Sequence, residues 1–155
     1  MSQKIRFLFI SMVIAFSSCD PDMIYDELWR IEDGRWTWDN PQVFEIEMSD
    51  TITLHNIYLQ VRHTVDYPLS NLYIFVNVSG PGGQQIKDTV NIILADPDGS
   101  WTGRGAGNLR EIRLLYRNQT RFRLPGLYTF TLEQGMRKSE LPVTDVGVRI
   151  ERINP

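Results

Sequence analysis

Cysteine and histidine are scarce in this chain of 155 residues, which holds one of the former and two of the latter. A single thiol forms no intramolecular disulfide and no redox pair. One cysteine with two histidines gives no ligand set for a zinc cluster or histidine-rich site, so neither a metal nor a catalytic role for one is expected. Basic excess is missing too, because 16 Lys and Arg stand against 19 Asp and Glu for a formal charge of −3. Neutralising phosphates takes a cationic face, and no nucleic-acid partner is expected. Long apolar runs are also absent: the longest, Phe7–Phe16, makes a helix of about 15 Å, roughly half the hydrocarbon thickness of a bilayer. What is present, 42% hydrophobic and 23% charged residues with 11 Gly and 8 Pro, is the composition of a globular domain. A chain of this length buries roughly 70% of its unfolded surface and carries one core without staples.

The N-terminus reads as an address. Lys4 and Arg6 precede the apolar run, and Ser17 and Ser18 lead directly to the lone cysteine, Cys19, with Asp20 behind it. This order resembles a bacterial lipobox, in which the cysteine is acylated and the signal segment before it is removed. Phe16 stands where leucine is usual. Residues 1–18 are therefore expected to be a cleaved lipoprotein signal peptide, residues 19–28 the lipidated Cys19 with a short acidic tether, and residues 29–155 the folded domain. A protein so acylated is anchored to a membrane without spanning it. Loss of Lys4 and Arg6 with the signal takes the formal charge to −5, which disfavours lying flat on anionic lipid. The expected location is the cell envelope, with inner and outer membrane both open.

From Trp36 onward the apolar period is two. Phe44, Ile46 and Met48 alternate with Glu45 and Glu47; Ile57, Leu59 and Val61 alternate with Tyr58, Gln60 and Arg62; Leu72, Ile74, Val76 and Val78 alternate with Tyr73, Phe75 and Asn77. Further strand patterns cover residues 89–94, 112–116, 127–133 and 146–153, separated by turn signals such as 79–83, 96–99 and 125–126. Short strands at this spacing predict an all-β fold, a single antiparallel β-sandwich of Ig-like or jelly-roll-like type. Residues 133–141 are the one stretch expected to hold a helical turn, limited by Gly135 and Pro142. The sequence Pro125-Gly126-Leu127-Tyr128 is reminiscent of a tyrosine corner.

Residues 96–107 are the most unusual in composition. Asp96 and Asp98 offer oxygen ligands, but the glycine spacing does not fit an EF-hand and the closing glutamate is missing, leaving calcium here an open question. Gly103, Gly105 and Gly107 lack the Lys-Ser/Thr of a phosphate loop. The preferred reading is an exposed turn in which Trp101 pins the loop to the sandwich. Trp29, Trp36, Trp38 and Trp101 include two, Trp36 and Trp38, spaced to share one strand face, as core, partner contact or a carbohydrate-binding platform. No Gly-x-Ser-x-Gly elbow occurs, and His55 and His63 lie in or beside strand patterns, His63 as a hydrogen-bonded interior or edge residue; no catalytic residues and no enzymatic activity are expected.

In order, the lipobox ending Ser17–Asp20, Tyr25-Asp26, Trp36 before Phe44, Val61-Arg62, residues 67–72, Asp88-Thr89, Leu94–Asp96, Gly99–Gly103, Gly126–Tyr128, Gln134–Leu141 and Asp145–Glu151 resemble the GldH family of Bacteroidetes gliding-motility lipoproteins across essentially the whole mature chain. The resemblance implies an envelope lipoprotein linked to gliding and to the machinery around type IX secretion, without enzymatic activity and without a cofactor beyond the covalent lipid at Cys19. Members also occur in Bacteroidetes that do not glide. It directs attention to the matching positions Arg62, Asn71, Asp96, Gly99, Trp101, Gly103, Met136, Arg137 and Asp145, all read as exposed. Of these, Asp96, Gly99, Trp101, Gly103, Met136 and Arg137 are expected to form a surface for an envelope protein partner, arginine and tryptophan being over-represented among residues that carry interface energy. A glycan-binding module is the alternative.

Overall fold

The computed structural model describes residues 20–153; the signal segment, Cys19 and residues 154–155 lie outside the described residues. Ten strands follow one another: β1 (Met23–Arg30), β2 (Trp36–Thr37), β3 (Gln42–Met48), β4 (Leu54–Thr64), β5 (Asn71–Ser79), β6 (Gln85–Ile93), β7 (Leu109–Thr120), β8 (Gly126–Gln134), β9 (Glu140–Leu141) and β10 (Val143–Ile153), with one 3-10 turn at Glu32–Gly34. The alternations in the sequence account for them. In β3, Phe44, Ile46 and Met48 are buried while Glu45 and Glu47 face solvent, and in β8 Tyr128, Phe130 and Leu132 are buried between exposed or half-buried neighbours.

The eight long strands form two antiparallel four-stranded sheets, ordered β1-β10-β4-β7 and β3-β8-β5-β6, and β2 pairs with β9 apart from both. Counting the long strands alone gives the orders 1-8-3-6 and 2-7-4-5, the double Greek key of a jelly roll and not the seven-stranded Ig arrangement. The two inner faces meet in a core that includes Leu59, Val61, Leu72, Ile74, Phe130, Val146 and Val148. Tyr128 makes the expected corner: its hydroxyl donates to the Leu124 carbonyl oxygen at 2.9 Å.

Strand directions divide the sandwich into two poles. The chain enters beside the end of β10, with Met23 opposite Glu151, and loops 49–53, 80–84 and 121–125 turn at that same entry pole. Segments 31–41, 65–70, 94–108 and 135–142 turn at the other, distal pole. The 11 residues of β10 separate the poles by about 33 Å at the usual rise per strand residue.

Three expectations need correction. The folded domain starts before residue 29, inside the stretch expected as a tether: Met23–Leu28 belong to β1, drawn onto β10 by backbone pairing and by charge. Arg149 is only 7% exposed, and its guanidinium donates to Asp26 and Asp20 and, at 2.5 Å, to Glu151. Trp36 and Trp38 do not share a face; β2 ends at Thr37 and the chain turns, so Trp36 is fully buried with its indole N–H on Asn40 O at 2.9 Å, while Trp38 is 65% exposed. Residues 133–141 hold no helical turn, because Gly135 N–H donates to Tyr73 O at 2.7 Å and extends the β5–β8 pairing instead.

The outer face of the first sheet is a polar lattice. Gln60 donates to Asp26 at 2.6 Å, Arg62 reaches Glu111 at 2.6 Å and Asp145 at 3.7 Å, and Arg113 reaches Glu151 at 4.0 Å. Breaking a buried ion pair from one side leaves charge uncompensated, so Arg149→Met is expected to destabilise by about 3 kcal/mol, against about 1 kcal/mol for Tyr128→Phe. Urea melts of the two variants check the order.

Candidate interaction surface

The distal pole gathers the expected surface residues on two scaffolds. The first is the turn leaving β6. Gly99 N–H donates to Asp96 O at 2.9 Å and Asp96 N–H to Ser100 O at 2.8 Å, closing a tight turn in which Gly99 takes φ +86°, a left-handed conformation that favours glycine. Asp98 Oδ1 accepts both the Ser100 hydroxyl, at 2.6 Å, and the Ser100 N–H, at 2.9 Å; these bonds hold its carboxyl below the usual carboxylate range. Among the described residues no group of three or more His, Cys, Asp and Glu side chains is arranged to hold a metal ion.

Trp101 pairs with Ala95 in an isolated bridge and sets its indole tilted against His63, ring centroids 4.8 Å apart. Thr102 fastens the return strand, its N–H on Leu94 O at 2.9 Å and its hydroxyl on Ile93 O at 2.8 Å. Beyond it the chain folds back on β7 through reciprocal bonds between Arg104 and Glu111. The glycines follow from this closeness: a Cβ on Gly103 would meet Glu111 O at 2.9 Å, and one on Gly105 would meet Leu109 O at 2.1 Å. Gly103 is thus a packing requirement of the hairpin.

The second scaffold is the end of β8. Gln134 is buried and bonds its own loop from both ends of its amide, Nε2 donating to Lys138 O at 2.8 Å and Oε1 accepting Met136 N–H at 2.9 Å. Met136 is half-buried, with its sulfur accepting Tyr73 N–H at 3.2 Å, and Arg137 beside it is exposed. The positions read as exposed therefore divide. Asp96, Gly99 and Arg137 are exposed; Arg62, Asn71, Trp101, Gly103 and Met136 are half-buried; Asp145 is buried, facing Arg62 and Arg30. The four tryptophans go to separate places: Trp29 packs on Phe44, Trp36 lies in the core, Trp101 on His63, and Trp38 points outward. An open groove of about 730 Å³ runs beside the hairpin, lined by Ile93, Thr102, Arg104, Glu111 and Arg113 among others.

With this geometry in place, comparison with known proteins is decisive at the level of family. Residues 23–150, from the first residue of β1 into β10, match the model of the GldH lipoprotein family. The chain belongs to that family. A gliding motility lipoprotein GldH homolog of Christiangramia forsetii is 35% identical over 154 residues, and the gliding motility lipoprotein GldH of Flavobacterium johnsoniae 29% identical over 153, each comparison covering 94% of both chains. Through these names the GldH family is linked to gliding motility. Among solved structures, a chain of infectious bursal disease virus Gt strain covers 88% of this chain and 44% of its own at 13% identity and a TM-score of 0.15, a likeness too slight to bear on fold or function.

Two buried histidines brace the GldH sandwich, one toward each pole. His63 Nδ1 donates to Thr64 O at 2.8 Å under Trp101, and His55 lies edge-on to Phe122 with centroids 5.4 Å apart. Among the described residues His63 Nε2 and His55 Nδ1 have no hydrogen-bond partner. Burial lowers the pKa of both below the ordinary 6.5. The unfolded chain then takes up these protons first, so stability is complete above about pH 6.5 and falls below it, by about 1.4 kcal/mol per pH unit for each histidine. Urea melts at pH 7.5 and 5.5 check this, and His63→Gln is expected to lessen the loss between them.

Proposed function

We propose that the protein is a membrane-anchored envelope lipoprotein, acylated at Cys19, that acts without catalysis as an interaction subunit of the gliding-motility and type IX secretion machinery. The observation that carries this reading is the placement of the fold. β1 begins four residues after Cys19, so an acyl anchor there holds the entry pole at the membrane and turns the distal pole, with its four loop segments, toward the other components of the envelope. Asp96, Gly99, Trp101, Met136 and Arg137 form the contact surface, with Gly103 shaping the hairpin behind it. Trp101 offers a large ring already ordered against His63, and Arg137 an exposed guanidinium with no ion pair among the described residues; aromatic and arginine side chains concentrate binding energy at interfaces. The second reading, a carbohydrate-binding module, draws on the exposed Trp38 at the distal pole, an aromatic ring of the kind that stacks on a pyranose.

Affinity purification of the lipidated protein from its native envelope after crosslinking, followed by mass spectrometry, separates the two. Motility and secretion components are expected with the wild type and are lost with Cys19→Ala. Trp101→Ala and Arg137→Ala each lower recovery on the order of tenfold while melts show the fold intact, and Glu45→Ala on β3 changes nothing. Unchanged recovery from both variants removes the distal surface from the proposal. Retention on a glycan array with no co-purifying protein moves the assignment to the sugar-binding module.

A further inference from the structure

The entry pole carries an unexpected combination of exposed apolar and unpaired basic side chains. Ile52 is 80% exposed at the tip of loop 49–53. It is held out by its own loop, since Asp50 Oδ1 accepts Ile52 N–H and Thr53 N–H at 3.0 Å each and Asp50 also takes the Thr53 hydroxyl. In loop 121–125, Phe122 is buried between His55 and Tyr128, which fixes the exposed Arg121, Arg123 and Leu124 around it on the outside. Neither arginine makes an ion pair among the described residues. Between them and the start of β6 opens a mainly apolar pocket of about 250 Å³, lined by Ile86, Phe122 and Phe130 among others, so both guanidiniums sit on a boundary between polar and apolar surface. Two carboxylates of this pole are engaged within the fold: Asp20 by Arg149, and Asp50 by its loop and by Arg152 at 3.5 Å.

This pole also abuts the acylation site. Cys19 directly precedes Asp20 in the chain. We infer that the entry pole is itself a membrane-contacting face: Ile52 and Leu124 enter the interfacial zone of an anionic bilayer, and Arg121 and Arg123 engage lipid phosphates, standing the sandwich end-on. The inference rests on acylation of Cys19. The net negative charge does not oppose this contact locally, because Asp20 and Asp50 are paired within the fold, and a basic side chain at an anionic surface gains about fivefold in binding, the equivalent of about 1 kcal/mol.

The test uses the full lipidated protein reconstituted into phosphatidylcholine vesicles with and without phosphatidylglycerol. Acylation consumes the native thiol, so Ile52→Cys, Leu124→Cys and, at the distal pole, Trp38→Cys each accept a fluorophore at one site. A quencher placed among the acyl chains is expected to quench positions 52 and 124 and to spare 38. On anionic vesicles Arg121→Glu with Arg123→Glu lowers the contacting population at least fivefold for each residue, whereas Arg→Lys at both positions retains it. Equal quenching at 38 and 52, or none at 52 in protein that floats with the vesicles, overturns the membrane face; indifference to the Glu variants overturns the phosphate contact. Protein that does not float, with Cys19 open to labelling, overturns the anchor and the inference together.

Discussion

Arg149 holds the architecture at its most exposed edge. β1 is an edge strand that pairs only with β10, and a strand in that position peels readily unless something beyond backbone bonds retains it. Arg149 supplies it, reaching across from β10 to Asp26 of β1 and to Asp20 before the strand, with Glu151 completing the charge. Against the desolvation of its burial, Glu151 and Asp26 raise its affinity for the proton above the ordinary guanidinium value, so the guanidinium stays charged. The lattice through Gln60, Arg62, Glu111 and Asp145 continues it over β4 and β7. The outer face of the first sheet is therefore fastened sideways by charge, while its inner face is fastened by apolar packing.

The jelly-roll order gives the poles their distinct characters. Every long strand runs antiparallel to its sheet neighbours, so connections fall alternately at the two ends. The entry pole has three short loops built on an Asx turn, a glycine-rich hairpin and a tyrosine corner. The distal pole has the longer segments, including the hairpin that folds back on β7 and the Gln134 loop. Where the two sheets part along β6 and β7, Asp88 bridges them by accepting from Tyr116 and Arg117 at 2.5 Å each. The sandwich is thus closed along that flank, leaving recesses on either side of the bridge.

Period-two alternation made β3, β4, β5 and β8 legible, because their buried positions are simple apolar residues. It also carried His63 onto the face that is buried, and the Pro125–Tyr128 motif marked the corner that Tyr128 makes. β1 escaped notice because its polar residues, Asp26 and Glu27, read as solvated; Asp26 is satisfied by Arg149, 123 residues away in the chain, and no local pattern reports such a partner. Asp145 misled for the same reason, a carboxylate buried by two arginines. Trp38 misled because alternation was extended past a strand of two residues. At the distal pole the unusual composition marked a tightly built loop, in which Gly103 proved to be demanded by a backbone carbonyl. The arginines of the entry pole carried no signal, since strand polarity alone decides that they lie beside the chain's entry.

The short path from Cys19 to β1 has a mechanical consequence. If the distal pole is pulled away from an anchored N-terminus, the load enters along the axis of β1, whose hydrogen bonds to β10 lie perpendicular to the strands. Such bonds are loaded in shear and share the force, instead of opening one at a time as in a zipper. The Arg149 contacts lie along the same seam and resist the same sliding. With almost no slack before the first strand, a displacement at either end is passed to the other with little lost to stretching, and the sandwich behaves as a stiff strut.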